Sequence, residues 1–253
     1  VPRRLGQHFL ARKSILDRIA LAACGSGVPL VIEIGPGKGA LTESLLALAN
    51  RVVAIEVDPY LVHYLRQKFA DPIAAGRVCL IEGDVLKTDL AAWGPAVVAG
   101  NLPYYITSPI LEKLFGMAGK WTRAVFLVQA EVAERLAAVP GTRDFGYLSV
   151  QTQLSTRPEI LFPVSRTAFR PPPKVESAVV RLEPRDAAAD LEIADPTAFL
   201  RFASLCFRQK RKTLRNNLAQ VYGTERMDGL PEARLRAEQM SLADLAALYR
   251  KLS

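Results

Sequence analysis

The run "VIEIGPGKGALTESL" (residues 31–45) decides the fold. Its first part is a short apolar stretch of strand length, interrupted only by Glu33. Three glycines, Gly35, Gly37 and Gly39, then fall at a turn, and "GALTESLLALA" (39–49) carries helical spacing. In open α/β sheets the ligand sits outside the carboxyl ends of the strands, and glycine there lets the backbone approach it closely. A phosphate-cradling nucleoside-triphosphate loop is not matched, because Lys38 is followed by Gly39 and not by Ser or Thr. A dinucleotide loop stays open, since Gly35, Gly37 and Ala40 satisfy G-x-G-x-x-A.

Outward from this turn the same alternation recurs. "RVVAIEV" (51–57) reads as a strand, and "DPYLVHYLRQKFA" (58–70) as a helix opened by Asp-Pro. "RVCLIEGD" (77–84), "AVVAGN" (96–101) and "TRAVFLVQ" (122–129) are further strands, the last leading into the helical "AEVAERLAAV" (130–139). Strands at this spacing, each followed by a helical pattern, imply βαβ units and a parallel sheet, so the fold class is α/β. Later, "FGYLSVQTQL" reads helical, "RPEILFPV" extended and "KVESAVVRLEPR" (174–185) as a strand. "FRPPPKV" between the last two is extended, because three prolines forbid a helix. Beyond "EPRDAAAD" (183–190) only helical patterns remain, including "PTAFLRFASLCFRQKRKTLRNNLAQVYG" (196–223). A boundary near 184–190 therefore gives domains of 1–185 and 186–253.

Composition narrows the chemistry. The chain has 253 residues, half of them hydrophobic, and a formal net charge of +8. That balance favours a polyanionic partner, above all nucleic acid. No apolar run approaches the ~18–20 residues of a membrane span, and the charged opening "VPRRLGQHFLARKS" does not fit a secretory signal. Cys24, Cys79 and Cys206 stand far apart and beside no histidine, so no metal site is expected and a reducing, cytoplasmic setting fits. With His8 and His63 the only histidines, a His-based hydrolytic triad is also improbable.

The strand ends carry acids suited to a nucleoside. Glu56 closes the second strand about twenty residues after the glycine turn, where a carboxylate accepts from ribose hydroxyls. Asp84 ends the third strand and can accept from an adenine amino group. A close backbone, a ribose acceptor and an adenine acceptor suit S-adenosylmethionine, a nucleoside without phosphates. The fourth strand ends in "GNLPYY" (100–105). The Asn101 side-chain oxygen can accept from an exocyclic amine, Pro103 stiffens the turn, and Tyr104 offers a face for a base. Tyr105 is assigned to the core. Phe169, ahead of three prolines, is read as a second face for a flipped adenine.

"GQHFL" (6–10), "EIGPGKGALT" (33–42), "IEVD" (55–58), "GDVL" (83–86), "GNLPYYI" (100–106) and "FRPPPKVESAVVRL" (169–182) together resemble the small-subunit rRNA adenine dimethyltransferases. The resemblance runs in order from residue 5 to about 182; beyond that it rests on length and basicity. It implies a Rossmann-like methyltransferase sheet with a final antiparallel strand and a small helical domain. It further implies dimethylation of N6 on two adjacent adenosines near the 3′ end of the small-subunit RNA, with S-adenosylmethionine as donor. By motif position His8, Leu10, Gly35, Gly37, Glu56, Asp84 and Asn101 would contact the cofactor. Asn101, Leu102 and Tyr104 would serve the target amine, with Phe169 stacking. His8 stands where many relatives carry Asn, so its contact is assigned to backbone, and "ITS" (106–108) varies the usual "IST".

"RFASLCFRQKRKTLRNN" carries cations without an acid. Read as one helix, it places Arg208, Arg211, Lys212 and Arg215 on one face at i, i+3, i+4, i+7 spacing, an RNA-phosphate surface. The expected partner is the small ribosomal subunit RNA or an assembly intermediate, bound by a monomer, with no membrane. Rival readings are an NAD-dependent dehydrogenase, a large-subunit rRNA adenine methyltransferase, and a non-catalytic RNA-binding assembly or transcription factor on the same fold.

Overall fold

The central strand runs become strands because both faces of each are covered, whereas the strands at the two sheet edges stay partly exposed. A parallel sheet buried on both sides is built of near-continuous apolar runs, not alternating ones. The computed structural model describes residues 8–117 and 119–253. Gly6 and Gln7 of the "GQHFL" motif lie outside the described residues. A short strand β1 (Phe9–Leu10) precedes helix α1 (Lys13–Cys24). Next come β2 (Val28–Ile34), helix α2 (Ala40–Leu46), β3 (Ala49–Glu56), helix α3 (Pro59–Lys68), β4 (Val78–Glu82) and β5 (Ala96–Asn101). These are followed by β6 (Trp121–Gln129), β7 (Thr156–Val164), β8 (Phe169–Arg170) and β9 (Ser177–Pro184).

Among the described residues seven strands form one sheet in the order β4-β3-β2-β5-β6-β9-β7, while β1 and β8 pair in a separate antiparallel ribbon. From β4 through β6 every pairing is parallel, and β9 runs antiparallel to β6. The chain first builds from β2 towards β4 and then restarts at β5 on the other side of β2. That reversal opens a crevice at the carboxyl ends of β2 and β5. Gly100 lets these two strands close: a Cβ there would lie 2.5 Å from the Ile34 carbonyl oxygen of β2. Gly39, with φ +76°, starts α2 where a side chain would strike the Phe69 ring at 2.4 Å. Lys68, at the end of α3, ties this turn down by donating to the Lys38 carbonyl at 2.8 Å and pairing with Glu43 at 2.9 Å.

The chain divides into two compact units. Residues 1–133 and 159–184 make the first, whose core includes Val31, Val52, Ala99, Val125, Leu127 and Phe169. Residues 134–158 and 185–253 make the second, around Phe145, Phe199, Phe202, Leu214, Leu218 and Leu248. A sequence boundary near 184–190 meets the third crossing between units, at 184/185. It had left 134–158, which pack with the later helices, in the first domain. A fully buried aliphatic or aromatic side chain contributes ~1.5–3 kcal/mol, and each unit has its own set.

The segment 196–223 is not one helix. A helix ends at Cys206, residues 207–212 form a turn, and a second helix runs Leu214–Tyr222. Two forces favour the break. Arg208, Arg211 and Lys212 at helical spacing would repel one another. The buried Asn217 side chain also accepts from the Gln209 N–H at 3.1 Å and donates to the Cys206 carbonyl at 2.8 Å, which holds the turn. Among the described residues no helix is long and apolar enough to cross a membrane.

Candidate active site

At the carboxyl ends of β2–β5 lies a cavity of about 480 Å³, within the usual range for small-molecule sites. Gly35 and Gly37 line it after β2, Glu56 at the end of β3, Asp84 after β4, and Asn101 at the end of β5. Leu102 and Tyr104 follow on the same wall, and His8 and Leu10 enter from the ribbon. All of these residues, scattered between positions 8 and 104, are brought together.

Glu56 is held by backbone donors. Its Oε2 accepts from Gly37 N–H at 3.1 Å, and its Oε1 from Val57 and Asp58 N–H at 2.9 and 3.0 Å. Burial pushes its carboxyl above the usual range, and those three donors work against that rise. Asp84 Oδ1 accepts from Leu86 N–H at 2.9 Å. Among the described residues nothing donates to its other oxygen, which leaves an acceptor for a ligand.

Asn101 has a defined amide orientation. Its Nδ2 donates to the His8 carbonyl at 3.1 Å, so Oδ1 is the acceptor left for an incoming amine. The turn behind it is pinned by Leu102 N–H on the Leu127 carbonyl at 3.0 Å and Ile106 N–H on the Pro103 carbonyl at 3.1 Å. Tyr104, half-buried, holds its hydroxyl 2.9 Å from Ser177 Oγ and stacks with the His8 ring at 6.2 Å between centroids. Burial raises its phenol above the ordinary value. His8 thus meets the site through its main-chain carbonyl, while its Nδ1 lies 2.9 Å from the Pro171 carbonyl.

Two expectations need correction. Phe169 is fully buried in the first unit's core and does not line the cavity, so it presents no face to a base. The cause is strand alternation: β8 pairs with β1 so that Phe169 turns inward and the next residue, Arg170, reaches the cavity. Tyr105, assigned to the core, is 62% exposed and lines the cavity. Glu33, also lining, was not singled out; a lone acid inside the apolar "LVIEIG" was its signal. It is 1% exposed, accepts from Thr42 Oγ1 at 2.6 Å, and burial pushes its carboxyl to about 7.

The basic segment of the second unit also departs from expectation. Arg208, Arg211 and Lys212 sit on the exposed turn 207–212, and among the described residues no carboxylate meets them. Arg215 lies on the following helix and is paired with Asp228, its Nη2 at 3.0 Å from Oδ2. The four do not share one helix face.

Residues 2–249 match the family model of the ribosomal RNA adenine dimethylases. The ribosomal RNA small subunit methyltransferase A of Acidobacterium capsulatum is 45% identical over 260 residues, covering 98% of this chain and 90% of the relative. That of Chlorobium chlorochromatii is 40% identical over 251 residues, covering 98% and 92%. Among solved structures, a dimethyladenosine transferase from Plasmodium falciparum superposes with a TM-score of 0.78 at 25% identity, covering 96% of this chain and 98% of that one. The 23S rRNA methyltransferase ErmE gives 0.69 at 27% identity, covering 96% and 99%. With such coverage on a sheet whose strand ends gather these side chains, the chain belongs to the ribosomal RNA adenine dimethylase family.

Proposed function

We infer that the protein dimethylates N6 of two adjacent adenosines in the hairpin near the 3′ end of small-subunit rRNA, using S-adenosylmethionine, during small-subunit biogenesis. The observation that carries this reading is the oriented amide of Asn101 at the wall of a nucleoside-sized cavity. The relatives' small-subunit names support the choice of RNA.

The residues present fit the donor. Glu56, fixed by three backbone N–H groups, has a lone pair of Oε2 remaining for a ribose hydroxyl, and Asp84 has an open oxygen for the adenine amine. Gly35 and Gly37, both at positive φ, keep the wall free of side chains, and Leu10 and the His8 backbone close the cavity from the ribbon. When bound, S-adenosylmethionine supplies an electrophilic methyl group on a sulfonium.

The chain's part is to make a poor nucleophile attack in line. The lone pair of an adenine N6 amine is delocalised into the ring. Asn101 Oδ1 and a main-chain carbonyl of the turn accept its N–H groups, a geometry that frees the pair. Tyr104 stacks the base, contributing ~1–3 kcal/mol. A neutral amide suffices because the amine loses its proton only after methyl transfer, so no strong base is required.

Away from the cavity, Arg208, Arg211 and Lys212 supply phosphate contacts on a preformed turn, while Arg215, paired with Asp228, contributes chiefly to holding the helix after it. The protein acts as a cytoplasmic monomer on an assembling subunit. Asn101→Ala tests the core of this reading. Single-turnover transfer at saturating S-adenosylmethionine should fall by at least about 100-fold, the loss typical of removing one oriented polar group, with the melting temperature unchanged. Transfer at the wild-type rate would exclude the proposed role of the amide.

A further inference from the structure

Phe126, Phe145, Phe169, Phe199 and Phe202 are fully buried. Tyr105 is placed in the opposite way. It stands in the short 3-10 turn Tyr104–Ile106, 62% exposed, at the mouth of the cavity that Asn101 and Tyr104 line. Among the described residues its hydroxyl makes no hydrogen bond and its ring no aromatic contact. The backbone beneath it is nonetheless fixed, since Ile106 N–H and Thr107 Oγ1 both donate to the Pro103 carbonyl at 3.1 Å. A flat ring is therefore presented to solvent on a stiff support.

Arg170 lines the same cavity from β8 and is exposed. Its Nη1 donates to the Thr167 and Phe169 carbonyls at 3.2 and 3.0 Å, which orients the guanidinium. Among the described residues no carboxylate neutralises it, and its Nε and Nη2 groups have no acceptor. A bare aromatic face and a positioned, uncompensated guanidinium match the two parts of a nucleotide, the base and the phosphate.

We propose that Tyr105 and Arg170 form a rim subsite for the nucleotide next to the adenosine in the cavity, Tyr105 stacking its base and Arg170 contacting its phosphate. The proposal rests on the reading of the cavity as an rRNA adenine methyltransferase site. When one base of a strand is turned into a pocket, its neighbour is left at the mouth without that stacking partner. Tyr104 and Tyr105 then stack successive bases, one inside and one outside. Because the two target adenosines adjoin, the base held at the rim while one reacts is in one of the two registers the other target. The subsite favours a substrate with a purine beside the reacting adenosine.

The test uses the full chain and undermethylated small subunits. Tyr105→Ala should raise KM for the particles about tenfold, the cost expected for losing one base–aromatic stack. Maximal turnover and affinity for S-adenosylmethionine should stay within about twofold of wild type on the same grounds. Tyr105→Phe keeps the ring and should behave as wild type, and Arg170→Ala should raise KM and flatten its dependence on salt. Wild-type turnover on the same particles checks the underlying reaction by itself. A wild-type KM in Tyr105→Ala, or equal losses in Tyr105→Ala and Tyr105→Phe, would therefore overturn the rim subsite alone.

Discussion

Glu33 and Glu56 lie on neighbouring strands, yet their surroundings differ. Glu56 faces three N–H groups, whereas Glu33, inside the sheet, has one hydroxyl donor and is pushed to about 7 by burial. Its carboxyl therefore keeps its proton longer in the folded chain than at the ordinary value of 4.5. Where the folded state binds more protons than the unfolded one, stability falls as pH rises. Here that window runs from about 4.5 to about 7, and the contribution is flat above it. At ~1.4 kcal/mol per pH unit the full effect is on the order of 3 kcal/mol. Glu33→Gln, which retains an acceptor for Thr42, should remove this slope. Urea melts of both proteins at pH 4.5 and pH 8 measure it, and parallel profiles would contradict the assignment.

At the scale of elements, the turn 207–212 shows how a basic surface is built. One helix running through the segment would have set like charges at adjacent spacing. Instead the chain stops at Cys206, and Asn217 satisfies the freed backbone from within the core. The cations then lie just past a helix carboxyl end, where positive charge is favourable. Replacing Arg208, Arg211 and Lys212 together by Ala should weaken binding to small ribosomal subunits. It should also reduce the slope of log affinity against log salt by about 2 to 3, if each cation meets one phosphate. S-adenosylmethionine affinity should not change. A salt slope equal to that of wild type would show that the turn does not touch RNA.

At the scale of the whole molecule, the parallel sheet was legible because strands covered on both faces leave uninterrupted apolar runs. Gly35, Glu56, Asp84 and Asn101 were legible as a group because a parallel sheet sends successive strand ends to one edge. What escaped reading was orientation by a single residue. "FRPPPKV" marks an extended chain but not whether Phe169 or Arg170 turns inward, since alternation allows either register. In a three-residue turn two adjacent tyrosines point in different directions, and only one can reach Ser177; the order of letters does not say which. The assignment of 134–158 to the second unit depends on contacts distant in sequence, which no local pattern records. The central claim, that this cavity dimethylates adenine in small-subunit rRNA, is tested most directly by mapping the product. Small subunits lacking the modification are incubated with the protein and isotopically labelled S-adenosylmethionine, and the RNA is then digested and analysed by mass spectrometry. The predicted result is label as N6,N6-dimethyladenosine at two adjacent positions in the 3′ hairpin of the small-subunit RNA. Label found only on large-subunit RNA, only at other positions, or on neither RNA would contradict it.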